Sequence, residues 1–328
     1  MLKISQKKYP KNTAGALMTD KVPIAFLSAT ISDLEKYLKK KKDKLESINY
    51  IYTTDEFGFL KGAISIKEVF RQGKERKLNE LIAGKMIIVG PYTKAEQVAN
   101  TALKHNIKSV PVVDREGKFL GVVLSDTILE IAYREIQEDL SRLAGIENPE
   151  LSHDNEKISI FASFKHRLPW LIIGLFGGFL MSKTITSFET TLAENLILAS
   201  FIPLIVYIGS AVQTQIGYFI VRDLAFNQKL NFLNYAFRQF KIVLLIGLGL
   251  GVLVFFSTFI FYAELAIAFV LAVAIFLAIL SSIITGVLIP FIFHRLKFDP
   301  ASASGPIATI IQDLISILIY LLVARSLL

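Results

Sequence analysis

The chain of 328 residues contains no cysteine. Disulfides, thiolate zinc sites and Fe–S clusters are therefore excluded. The first ten residues, MLKISQKKYP, hold no apolar run, so no secretory signal is read there. Only four histidines occur, and only His294, at the end of the fourth apolar stretch, is near the expected membrane core, with no Glu–His partner. An intramembrane metalloprotease needs a motif such as His-Glu-x-x-His, and the chain does not read as an enzyme. Charge of one sign is not concentrated either. The net charge of +8 divides evenly between residues 1–157 and 158–328, so nucleic acid is not indicated as a partner.

Charge itself is scarce in the second part. Residues 1–157 hold 26 Lys and Arg with 22 Asp and Glu, whereas residues 158–328 hold only 10 and 6. With 53% hydrophobic residues and a mean hydropathy of +0.51, the chain is too apolar for an ordinary soluble protein. A soluble, charged module followed by a membrane domain is expected.

Five apolar stretches, near 168–187, 195–221, 239–262, 265–293 and 304–327, are long enough to span about 30 Å of hydrocarbon. Pro203 and Pro290 are expected kink sites. The connecting charges are asymmetric. Lys165, Arg167, Arg222, Lys229, Arg238, Lys241, Arg295 and Lys297 share one side, while Lys183, Glu264 and Arg325 mark the other. The positive-inside rule predicts a multi-pass protein of the inner or plasma membrane, with its N-terminus cytoplasmic and its C-terminus outside.

The last stretch carries Asp313. A charged side chain at membrane depth costs about 2.5–3.5 kcal/mol on insertion scales and marks a functional site by default. Thr309, Asp313, Ser316 and Tyr320 recur at helical spacing and predict one polar face. The second stretch carries Gly209, Ser210, Gln213, Thr214, Gln215 and Gly217, and the fourth Ser281, Ser282, Thr285 and Gly286. Small and hydroxyl residues of this kind also serve as interhelical glue. No base shares the face of Asp313, so a water-filled, cation-carrying cavity is expected there. A hard oxygen ligand favours Mg2+ or Ca2+. A two-fold homodimer would bring two copies of Asp313 towards one axis.

The soluble part repeats itself. YIYTTDEFGFLKGAISIKEVF, residues 50–70, and SVPVVDREGKFLGVVLSDTIL, residues 109–129, both read as strand, D-x-x-G turn, strand and helix start. Helical stretches precede them near 32–43 and 94–105. Residues 130–150 form a charged amphipathic helix ending near Gly145, and 152–159 read as a linker. The lysine-rich run at 39–44 is a solvated face or a contact with anionic lipid.

The tandem unit, and SVPVVDREGKFLGVV in particular, resembles a pair of CBS domains, a Bateman module. That resemblance implies an adenine nucleotide such as ATP, or a metal ion, as ligand. Ser65 and Glu68 follow Gly62 at the family's nucleotide-binding spacing, with Glu in place of Asp. After Gly121 the corresponding positions are Leu124 and Thr127, and the adjacent Ser125 and Asp126 are the alternative.

YPKNTAGALMT (9–19), RLAGI (142–146), RLPWL (167–171), FIPLI (201–205) and DPASASGP…D (299–313) complete a wider resemblance to the MgtE family of divalent-cation transporters. It implies an α+β tandem CBS module followed by an all-α five-helix transmembrane domain. The expected domains are 1–18 as the remnant of a larger N-terminal helical domain, 19–76 and 77–129 as CBS units, 130–157 as connecting helix and linker, and 158–328 in the membrane. The resemblance also implies a homodimeric Mg2+ pore in which Asp313 selects the ion. Thr309, Ser316, Gln213 and Ala211 stand beside it. Glu130, Glu135, Glu138 and Asp139 on the connecting helix are the gating acids, with Mg2+ also as a regulatory ligand. The family's second-helix Asn is replaced by Ala211. A non-conducting sensor or scaffold, and transport of Mn2+, Co2+ or Ca2+, therefore remain open alternatives.

Overall fold

The structure, a computed structural model, describes residues 9–82, 84, 86–146, 159–226 and 230–328. The expected linker, apart from Ser159, lies outside them, as does Lys229. The chain divides into two units, Met1–Glu135 and Ile136–Leu328.

In the first unit the repeat becomes two β-hairpins. Strands β1 (Ile24–Phe26), β2 (Tyr50–Thr54) and β3 (Leu60–Ser65) form one sheet, and β4 (Ser109–Val113) and β5 (Phe119–Leu124) the other. Each hairpin has an irregularity at the same place, between Thr53 and Thr54 and between Val112 and Val113. Each turn is closed by its aspartate. Asp55 Oδ1 accepts from the amides of Phe57 (3.1 Å) and Phe59 (2.9 Å), and Asp114 Oδ1 accepts from those of Glu116 and Lys118 (both 2.9 Å). Gly58 and Gly117 follow at φ 86° and 93°, where a Cβ is strained. The two turns then bond to each other: Phe119 N donates to Gly58 O at 3.0 Å and Leu60 N to Gly117 O at 3.2 Å. The short strand β1, parallel to β2, escapes sequence reading because three residues after Pro23 show no alternation.

Short helix α1 (Ala14–Leu17) belongs to the second lobe. Ala14 sits in a core with Val98, Val110, Val112, Val123 and Ile131, and Thr19 exchanges both backbone bonds with Val122 at 2.9 Å. The described residues of the segment 1–18 thus pack against the second lobe. Helix α2 (Ile31–Lys41) starts on a capping box between Thr30 and Asp33. The Thr30 hydroxyl and backbone amide hold the Asp33 carboxyl below its usual pKa. Helix α3 (Ile66–Val69) follows β3. Helix α4 (Ala95–His105) ends on Asn106 in the left-handed region. Helix α5 (Ser125–Leu143) starts directly after β5, so the connecting helix is continuous from the second hairpin.

The second unit holds five helical segments long and apolar enough to cross a membrane. They are α6 (Ile160–Thr186), α8 (Leu196–Phe226) after the short α7 (Glu189–Glu194), α9 (Phe232–Tyr262), and two interrupted segments. The first and third start earlier than their apolar runs because Ser159 and Asn231 cap them, accepting from Ala162 N and Asn234 N at 3.2 Å. The fourth segment is α10 (Leu265–Ile283), one π-helical turn (Ile284–Leu288) and α11 (Ile289–Arg295), which carries Pro290 at its start. The fifth is α12 (Pro300–Ser302), a second π turn (Ala303–Ile307) and α13 (Ala308–Leu327). Gly305 (φ −82°, ψ −130°) leaves the helical region. The expected span over 304–327 is therefore interrupted near its start, at Gly305-Pro306, where proline supplies no amide to continue the ladder. Helix α10 is the most enclosed, packed by α8, α9 and α13.

Candidate functional site

Helices α8 and α13 face each other antiparallel along a polar seam. Ser210 Oγ donates to Asp313 Oδ1 in a short hydrogen bond. One turn further along α8, Gln213 Oε1 lies 3.5 Å from the hydroxyls of Thr309 and Thr214, and its Nε2 donates to Ser304 O at 3.3 Å. Small residues let the backbones approach. A Cβ on Gly209 would stand 2.5 Å from Ser316 Oγ, and one on Gly217 3.3 Å from Ser304 Cβ.

Asp313 and Thr309 are half-buried, as are Ser210 and Ala211. Among the described residues no base lies within ion-pair distance of Asp313, and no group of three or more His, Asp and Glu gathers anywhere. The expected polar face does not stay together. Ser316 is fully buried beneath Gly209, and Tyr320, also fully buried, donates to Leu198 O at 2.8 Å. Gln213 is fully buried as well. Only Thr309 and Asp313 remain on the partly open side.

Gln312, a residue sequence reasoning missed, organises the covered side. Its Oε1 accepts from Thr285 Oγ1 at 2.5 Å, and its Nε2 faces Ala278 O (3.1 Å), Ser281 Oγ (3.0 Å) and Ser316 Oγ (3.0 Å). The signal was a second polar residue next to Asp313 in an apolar run, overshadowed by the charge. Ser281 and Thr285, read as glue, are its partners.

At the lower end of the fifth segment, Arg142 of α5 pairs with both Glu138 and Asp299. A Cβ on Gly305 would lie 2.9 Å from the carbonyls of Arg142 and Leu143, and one on Gly145 2.6 Å from Pro306. The end of α5 thus lies against the broken turn that leads to Asp313. Of the expected gating acids, Glu138 is held by a guanidinium, Glu130 is exposed, and Glu135 and Asp139 are half-buried.

The first unit contains a cavity of about 160 Å3 between its lobes, lined by Tyr50, Tyr52, Gly62, Ile82, Ser109 and Pro111 among others. Tyr52 OH and Ser109 Oγ are hydrogen-bonded at 2.6 Å, and burial pushes the tyrosine pKa up. None of Ser65, Glu68, Ser125 and Asp126 lines it. Ser65 caps α3, accepting from Lys67 N, and Glu68 accepts from Gln72 at 2.6 Å. Ser125 donates to Asp126 at 3.1 Å.

The fold defines a class: a multi-pass membrane protein whose helical domain follows a tandem α+β CBS module. Residues 202–323 match the MgtE family model, described as a divalent cation transporter, and residues 79–134 match that of the CBS domain. The magnesium transporter MgtE of Bacillus subtilis (strain 168) is 30% identical over 320 residues, which cover 97% of this chain and 70% of that protein. The magnesium transporter MgtE of Enterococcus faecalis (strain ATCC 700802 / V583) is 32% identical over 318 residues, covering 96% and 69%. A solved cytosolic domain of the Mg2+ channel MgtE, in complex with ATP, aligns over 38% of this chain and 50% of its own, at 30% identity and TM-score 0.37. The chain belongs to the MgtE family.

Proposed function

We propose that the protein carries Mg2+ across a membrane through a pore in which Asp313 holds the passing ion. The observation that carries this is the half-buried Asp313 carboxylate, hydrogen-bonded by Ser210, without a basic partner among the described residues, on a largely apolar helix. Such a group is unfavourable in hydrocarbon unless it serves an ion pathway. One carboxylate per chain suits an ion that keeps most of its water, as Mg2+ does. A second copy of the chain, related by a two-fold axis on the open side of Asp313 and Thr309, would supply the opposite wall. The positive-inside rule places the CBS unit in the cytoplasm, and an inside-negative potential of 100 mV then favours divalent influx by about 4.6 kcal/mol.

Control enters through the CBS unit. An adenine nucleotide, or Mg2+ at acidic groups, shifts α5, whose end lies against Gly305 and Pro306. Opening breaks the Arg142 pairs with Glu138 and Asp299. The cleft between the lobes, at about 160 Å3, is below the usual size of ligand pockets and must widen to admit a nucleotide.

Ala211 favours a second ion preference. It offers no polar group at the half-buried position next to Ser210, which loosens selection among Mg2+, Mn2+, Co2+ and Ca2+. Uptake into proteoliposomes with each ion, alone and in competition, tests both readings. Mg2+ influx abolished by Asp313→Ala is expected. Influx equal in wild type and Asp313→Ala removes the pore role, and no flux of any divalent ion supports a non-conducting sensor.

A further inference from the structure

We infer that Gln312 is a positioning residue for the ion-holding carboxylate: its amide fixes the rotation of α13 and so aims Asp313 at the open seam. This role rests on the reading of Asp313 as the ion-holding group. Gln312 is fully buried, and its polar partners among the described residues lie on the chain's own membrane helices. Thr285 comes from the π turn, Ala278 and Ser281 from α10, and Ser316 from α13 itself. The Ala278 carbonyl only accepts, which fixes Nε2 towards α10 and leaves Oε1 for the Thr285 hydroxyl. The amide is thus tied to two other elements in a single orientation.

Successive residues on a helix point about 100° apart. With Gln312 locked towards α10, Asp313 is turned to α8, where Ser210 meets it. Gly209, next to Ser210, lies directly against this lock: a Cβ there would be 3.2 Å from Gln312 Nε2. The neighbouring pairs Gly209–Ser210 and Gln312–Asp313 therefore act together, one residue of each setting the helix spacing and the other facing the ion. A carboxylate that meets a hydrated ion through its water shell depends on placement, because small shifts change which waters are held. An amide that fixes the helix is then a determinant of affinity and selectivity, although it touches neither ion nor carboxylate.

The test is Mg2+ uptake by reconstituted full-length protein carrying Gln312→Met, which keeps the length and removes the amide, or Thr285→Val, which keeps the shape and removes the hydroxyl. Folded, monodisperse variants are expected to raise the apparent KM for Mg2+ by about tenfold, to narrow the preference for Mg2+ over Ca2+, and to keep Vmax within about twofold. The double variant is expected to be no worse than Gln312→Met, since both cut one link. If Gln312→Met fails to fold, Thr285→Val decides by the same criteria. A folded variant with unchanged KM and ion preference overturns the proposal, as does a loss confined to Vmax that tracks lost folded protein. Asp313→Ala, measured in parallel, separates the two levels. If it abolishes flux while Gln312→Met leaves KM unchanged, only the positioning role fails. If it leaves flux intact, the ion site itself fails.

Discussion

In the CBS unit the covered polar side chains among the described residues are Thr13, Thr53, Thr54 and Ser109, and the core is mainly aliphatic, with Tyr52 stacked on Phe119. In the membrane unit Gln213, Gln239, Thr258, Ser281, Ser282, Thr285, Ser304, Gln312 and Ser316 are all covered, while Phe, Leu and Ile side chains line much of the surface. The difference follows from the solvent. Water drives aliphatic side chains together in the first unit. Lipid offers no such drive, so the second unit is specified by close packing and by hydrogen bonds that hydrocarbon cannot replace.

The largest effect is expected where the two units are truncated alike. Ile51, fully buried in the first lobe, and Ile275, 1% exposed on α10, are the matched pair. Ile51→Ala should destabilise the first unit by about 3 kcal/mol, the sum of transfer and cavity terms. Ile275→Ala should cost about half of that, because lipid removes most of the transfer term and leaves the cavity. Hydrogen exchange of β2 and α10 amides in the full-length protein checks both. Equal losses would break the comparison.

Gly286→Ala probes close packing in the membrane unit. The added Cβ meets Ile216 Cβ at 2.9 Å and the Gln213 carbonyl at 3.1 Å. Backbone cannot yield cheaply, so a loss of about 1–3 kcal/mol is expected, seen as a lower Tm in detergent.

The turn aspartates come next. Asp55→Ala and Asp114→Ala each remove the carboxylate oxygen that accepts from two backbone amides, and about 1 kcal/mol of protection in the adjoining hairpin should be lost from either. Near equality is the expectation, since the two turns have the same amide bonding and the partly exposed pair of Asp55 with Lys61 (3.1 Å) contributes little. A markedly larger loss for Asp55→Ala would assign weight to its pair with Lys61.

The smallest effect concerns pH. Asp33 is held below its usual pKa by Thr30. A depressed carboxylate contributes stability above its unfolded pKa of about 3.9 and loses it as pH falls through the lower folded value. The start of α2 should therefore open only below about pH 4, and Thr30→Ala should move that opening upward. Amide exchange of residues 31–34 against pH reports it. Glu46, lowered chiefly by its bond from Lys21, should behave in the same way.

Much of this organisation is legible in the sequence. Hydropathy located five helices, and the paired D-x-x-G turns located both hairpins, because each signal is local. The two breaks in the membrane helices were less visible. Pro290 and Gly305-Pro306 are local signals, but the packing of α5 against Gly305, where the backbone leaves the helical region, is not one. The polar face of the last helix is likewise divided by packing that no local signal shows. Thr309, Asp313, Ser316 and Tyr320 share a helical spacing, yet the close approach of α8 at Gly209 covers Ser316 and leaves Asp313 half-open. Gln312 carries no signal of its own in the sequence, because an uncharged amide has no meaning until its partners on α10 are known.

Asp313→Asn tests the central claim most directly. It removes the charge, keeps the volume and leaves an oxygen to accept from Ser210. Since a carboxylate at membrane depth is costly, the variant should be at least as stable in detergent as the wild type. Its reconstituted Mg2+ uptake should nevertheless fall by about a hundredfold or more. Uptake at the wild-type rate and with the wild-type ion preference would contradict the assignment of Asp313 as the ion-holding group.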